Sequence, residues 1–169
     1  IAQGVIVHMM RILNECEQGV SLNSIIGFPH ETRDLIFDTV EFMREARVHS
    51  PSIGFVYPFK GTALRDQVIR EKLFDPAMEE YGTAQWKRNH PVIKNDNITK
   101  DEYEGLFRTF ILYCKIPKRY WNDLRTAEKL TDEGNRMFEK MSRFEILVMP
   151  KRKTKFKGRL SLECDVLFS

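Results

Sequence analysis

The sequence predicts a mixed α/β fold: two parallel strands with flanking helices, followed by a helical C-terminal region. Three observations predict it. Residues 5–72 run helix, strand, helix, strand, helix, and such alternation argues a parallel sheet with right-handed crossovers. The alternation stops after Asp75-Pro76, and from Thr99 onward apolar residues recur at helical spacing. The expected divisions are 1–75 for the α/β part, 76–144 for the helical region and 145–169 for a basic tail.

Ile6, Met9, Met10 and Leu13 fall at i, i+3, i+4 and i+7, one face of a helix. Gly19 stands where that helix would end in a left-handed residue. Val20–Gly27 is short, rich in branched residues and closed by glycine, which reads as a strand. After the Phe28–Thr32 turn, Thr32 is an N-cap, and Ile36, Val40, Met43 and Ala46 or Arg47 line the next helix. Pro51 is expected to break that helix. Ser52–Tyr57 is the second strand, with Ile53, Phe55 and Tyr57 on one face. Pro58–Gly61 turns, and Thr62 caps a helix carrying Leu64, Val68 and Ile69.

Residues 76–98 lack a clear period. Thr99 and Glu102 form a capping box for a helix with Tyr103, Leu106, Phe107 and Phe110 on its buried face. Ile116-Pro117 stops it. Trp121, Leu124 and Glu128 mark a second helix, and Thr131 caps a third with Met137, Phe138 and Met141. Arg159–Phe168 reads weakly as a strand.

The 169 residues are 42% hydrophobic and 30% charged, ordinary for one soluble globular domain. No apolar run approaches the ~18 residues that span a bilayer. Three dispersed cysteines, Cys16, Cys114 and Cys164, support neither a disulfide framework nor a zinc ribbon, and fit a cytoplasmic protein with reduced thiols. Net charge is 27 − 24 = +3. Lys151–Lys157 alone holds five positive charges, so the remainder is 22 against 24. That run suits an anionic partner, or more plainly a solvated tail, and nucleic acid is not expected. The chain starts at Ile1 with no secretory signal, so an upstream part is expected.

In parallel α/β folds ligands bind beyond the carboxyl ends of the strands. Two such ends are visible, Ile25–Thr32 and Phe55–Thr62, and both loops are expected on one face. Spacing alone favours the plainer reading, two tight strand-to-helix turns. His30 beside Glu31 is a candidate acid–base pair or metal ligand. Neighbours on a turn rarely aim at one ion, and His8, His49 and His90 are isolated, so no metal ligand is assigned. No nucleophile elbow, GxxxxGK[ST] or GxGxxG is present, and the catalytic residues stay unassigned.

The string Asn23–Arg33, followed by Asp38-Thr-Val-Glu41, resembles the fifth-strand region of radical S-adenosylmethionine (SAM) enzymes. Tyr57-Pro-Phe-Lys-Gly-Thr-Ala-Leu64 resembles their sixth-strand motif, in the right order and separation. The likeness continues through Asp75-Pro76 and Leu106–Phe110 to Lys115–Lys118, closest to the cobalamin-binding members, and covers roughly residues 5–144. It implies the last third of a radical SAM barrel. It also implies that Asn23, Ile25, Gly27, Phe28, Pro29 and Glu31 form the adenine side of a SAM site. The backbone of Val56, Tyr57 and Pro58 would complete the rim. The family acid falls on Glu31 one position late, which leaves a structural role open.

The resemblance further implies SAM, a [4Fe–4S] cluster and cobalamin in an intact parent. This sequence contains neither the CxxxCxxC loop that holds the cluster nor an Asp-x-His-x-x-Gly cobalamin segment. The expected partners are therefore the missing N-terminal part of the barrel, or another copy of the chain, and a small-molecule substrate. Two other readings stay open. One is a non-catalytic module whose basic tail binds an acidic partner. The other is an unrelated α/β enzyme that binds a phosphate or nucleotide at the same loops.

Overall fold

The computed structural model describes residues 3–16, 19–79 and 82–148. It is a mixed α/β structure, mostly helical, with one open sheet of two parallel strands. The order is α1 (Gln3–Glu15), β1 (Ser21–Ile26), α2 (Arg33–Glu45), β2 (Ser50–Phe55), α3 (Ala63–Arg70), α4 (Ala84–Asn89), α5 (Lys100–Lys115), α6 (Trp121–Glu128) and α7 (Asp132–Val148), with short 3₁₀ turns at Pro76–Glu79 and Lys118–Tyr120. Among the described residues no helix is long and apolar enough to cross a membrane.

The predicted caps form. The Thr32, Thr62, Thr99 and Thr131 hydroxyls accept the N–H groups of Leu35, Arg65, Glu102 and Gly134, which satisfies donors that have no partner within the helix. Glu102 returns the bond to Thr99 N–H at 2.8 Å, completing the capping box.

Both helices that follow a strand end in the same way. The chain turns left-handed at Arg47 (φ 50°) after α2 and at Lys72 (φ 57°) after α3. Val48 N–H then reaches Met43 O at 3.1 Å, and Leu73 N–H reaches Val68 O at 2.8 Å. These are Schellman closures made without glycine. They correct the expectation at Pro51: α2 stops before it, and Pro51 is buried inside β2 opposite Leu22. The first helix ends at Glu15, four residues before Gly19.

Side chains alternate across the sheet. Ile26 and Phe55 face the main core, at 1% and 5% exposure. That core gathers Ile36, Val40 and Met43 of α2 together with Leu106, Phe110 and Tyr113 of α5, Leu124 of α6 and Met141 of α7. One hydrophobic core thus runs through the strands and the later helices. Polar ties reinforce it. Arg33 pairs with Glu128 at 2.6 Å, and Glu128 also accepts the Tyr113 hydroxyl. The Arg44 guanidinium donates to the carbonyls of Tyr113 and Ile116 at 2.7 and 2.8 Å, groups that the end of α5 leaves open.

A second cluster sits beyond β2. Val68 and Phe74 pack with Ile93, and Val56, Tyr57 and Leu64 lean on them. Tyr57 therefore does not share a face with Ile53 and Phe55 as expected. The strand ends at Phe55, and the chain then turns away from the main core. The helix α7 runs through residue 145 to Val148, across the expected start of the tail. The basic run at 151–157 and the Arg159–Phe168 strand lie outside the described residues.

Candidate functional site

The parallel register decides where the two loops lie. Ile26 pairs with Phe55, and Val56 N–H continues the ladder to Ile26 O at 2.8 Å. Gly27 and Val56 are therefore neighbours, and both strand ends open on one rim, as the motifs predict. Gly27 is required there for two reasons. Its φ is +90°, and a Cβ would stand 3.1 Å from the Phe55 ring.

The rim has an apolar edge. Ile25 is 57% exposed, Phe28 41% and Phe59 65%. Ile25 lies on the open sheet face with Asn23, whose side-chain oxygen accepts the Ser52 hydroxyl. Pro29 is half-buried in the turn.

Glu31 points inward to its own loop. Its carboxylate accepts Gly27 N–H at 2.7 Å and the Tyr103 hydroxyl of α5 at 3.2 Å. Burial raises the Glu31 pKa, while the Gly27 N–H, the Tyr103 hydroxyl and the Phe28 N–H work against the rise. Burial and the facing Glu31 push the Tyr103 phenol strongly upward, so it stays protonated and donates. Asn95 stitches the arrangement together. Its amide nitrogen lies 3.0 Å from Tyr103 Oη, 3.0 Å from Glu31 O and 3.2 Å from Phe28 O. Asn97 donates to His30 O at 3.2 Å.

The His30–Glu31 pair does not act together. His30 is left-handed, at φ 58°, and its ring reaches Glu71 at 3.1 Å, while Glu31 turns to Gly27. Two side chains after β2, Tyr57 and Pro58, turn away from the rim. Pro58 is fully buried, and its carbonyl accepts the Arg65 guanidinium at 3.1 Å. Tyr57 stands edge-on to Phe74, and its hydroxyl is buried without a partner among the described residues. Of the three residues assigned backbone roles, Val56 N–H and Pro58 C=O are already engaged inside the chain.

The sequence reading missed Asn95 and took Tyr103 for core alone. Asn95-Asp-Asn97 carried a loop signal, and Tyr103 sat on an apolar helical face. Neither signal names a partner about 70 positions away.

Of the two thiols described, Cys114 does not suit an iron–sulfur cluster. Burial pushes Cys114 up to about 12, so it is a poor thiolate ligand, and Cys16 lies exposed after α1. Among the described residues no three His, Cys, Asp or Glu side chains gather to hold a metal. Comparison with protein-family models, curated proteins and solved structures finds no match for this chain.

Proposed function

We propose that this chain is a segment of a radical SAM enzyme of the cobalamin-dependent kind. In this reading it contributes the adenine-side rim of the barrel to a cytoplasmic enzyme of methyl transfer or related radical chemistry. The observation that carries it is the pairing of two strand ends on one rim, with left-handed Gly27 at the centre and exposed Ile25 and Phe28 beside it. A base needs a close backbone approach and an apolar surface, and both are present.

This sequence has no CxxxCxxC loop to hold the iron–sulfur cluster, and we derive no step through it. The cluster ligands and the outer barrel strands belong to the expected N-terminal part, or to another copy. β1 pairs only with β2 among the described strands, and its second edge is open to such a strand. A small-molecule substrate would lie on the sheet face of Asn23 and Ile25.

One observation favours a second reading. Glu31 is committed to internal bonds, which suits a plain strand-to-helix turn in a non-catalytic module. Titration of the isotope-labelled chain with S-adenosylhomocysteine separates the two. Saturable shifts at Ile25, Gly27 and Val56 amides, lost in Gly27→Val, support the SAM rim. No shift at these amides at millimolar ligand overturns it.

A further inference from the structure

We propose that Glu31 is a specificity-determining residue: it fills the amide cradle at the end of β1, so the rim takes an uncharged nucleoside and turns away a phosphorylated one. The inference rests on reading the rim as an adenosine site and deepens it.

In many α/β folds the turn from a strand into a helix binds phosphate, because its backbone N–H groups are free and point outward. Here several of them have partners within the chain. Gly27 N–H donates to Glu31 at 2.7 Å, and Phe28 N–H also faces that carboxylate. Glu31 N–H goes to Phe28 O at 3.2 Å. In the first turn of α2 the Thr32 hydroxyl accepts Leu35 N–H and the Thr32 carbonyl accepts Ile36 N–H. The donors around the Glu31 carboxylate are two amides and the Tyr103 hydroxyl, none of them a cation. A phosphate brought against the Glu31 carboxylate meets a negative charge, and the pair repel.

Glu31 is also held from swinging clear. Asn95 bonds the Glu31 carbonyl and the Tyr103 hydroxyl at 3.0 Å each, which ties the acid's backbone and its side-chain partner to one anchor. Tyr103 itself is 1% exposed and fixed in the main core. The apolar side chains that the rim leaves open are Ile25, Phe28 and Phe59, beside the exposed polar Asn23, His30 and Lys60. That surface suits the flat, neutral face of a purine.

The test compares adenosine with AMP on the full chain near neutral pH, by isothermal titration and by the Ile25 and Gly27 amide signals. Adenosine is expected to bind at least about ten-fold more tightly than AMP, and Glu31→Gln to bring the two within about three-fold. Glu31→Gln keeps an acceptor oxygen for Gly27 N–H. A second measurement needs no variant: millimolar inorganic phosphate should leave the Gly27 and Phe28 amide signals of the unaltered chain in place. Equal binding of adenosine and AMP overturns the inference and leaves the adenosine rim standing. So does a preference that survives Glu31→Gln, or a phosphate-induced shift at Gly27. Binding of neither nucleoside nor nucleotide removes the adenosine rim itself, and the inference with it.

Discussion

The ends of β1 and β2 lie side by side, yet their loops are held by different forces. After β1 the loop is fixed by polar bonds from a distant segment: Glu31, Tyr103 and Asn95. After β2 the loop is fixed by apolar burial: Tyr57 turns onto the cluster of Val68, Phe74 and Ile93, and Pro58 is fully buried. Each loop contains a left-handed glycine, and each is followed by a threonine-capped helix. Similar local grammar thus serves two kinds of anchorage. The polar anchor leaves the first loop's apolar side chains facing solvent. The apolar anchor uses up most of those in the second, apart from Phe59.

The two glycines give the sharpest contrast. Gly27→Ala forces a Cβ against Phe55 at a positive φ, whereas Gly61→Ala meets open space at φ +80°. Backbone strain of about 1 kcal/mol is expected at both sites, and overpacking raises the Gly27 cost to about 3 kcal/mol. Urea unfolding of both variants checks this, and equal losses would break the contrast. Next in size, Val68→Ala should cost about 2–3 kcal/mol. Its added amide exchange should appear at Val56 and Leu73 and spare Gly27, since the clusters are separate.

Tyr103→Phe should cost about 1–2 kcal/mol, because it leaves the Glu31 carboxylate and the Asn95 amide short of a partner. Exchange should quicken at Gly27 and not at Val68. Uniform quickening would mean that the polar anchor is merely part of the global core.

The smallest effect is that of pH. Burial raises Glu31 in the folded chain, so its stabilising contribution is present below the ordinary carboxylate value and is lost as pH rises through the folded value. Glu102, lowered by its bonds to Thr99, behaves oppositely: its contribution is present above the ordinary value and is lost as pH falls through the depressed one. Stability measured from about pH 3 to 7 in Glu31→Gln and Glu102→Gln should diverge from the unaltered chain with opposite slopes. Parallel slopes would show that the Glu31 carboxylate is not desolvated in solution.

Much of the fold was legible in the sequence because its signals are local. A threonine shortly ahead of a helical face predicts a cap, and Thr32, Thr62, Thr99 and Thr131 all cap. Spacing predicted Ile36, Val40, Met43, Leu106 and Phe110 as core, and all are buried. Strand, glycine and helix in series predicted the paired loops. The errors were also local. A proline was expected to end α2, but Arg47 ended it five residues after Phe42 through a backbone closure that needs no special side chain.

The sequence by itself determined most element types and the caps at Thr32, Thr62, Thr99 and Thr131, since each depends on bonds within a few residues; it missed α4 with its Thr83 cap and placed the end of β2 two residues late. Only the tertiary structure decided which groups at the two strand ends remain open. Parallel pairing set Gly27 beside Val56. Packing of α5 brought Tyr103 to Glu31 across 72 positions, and turned that acid from a candidate ligand into an internal anchor. Such a contact depends on how several helices share one core, and no short stretch of sequence contains that information.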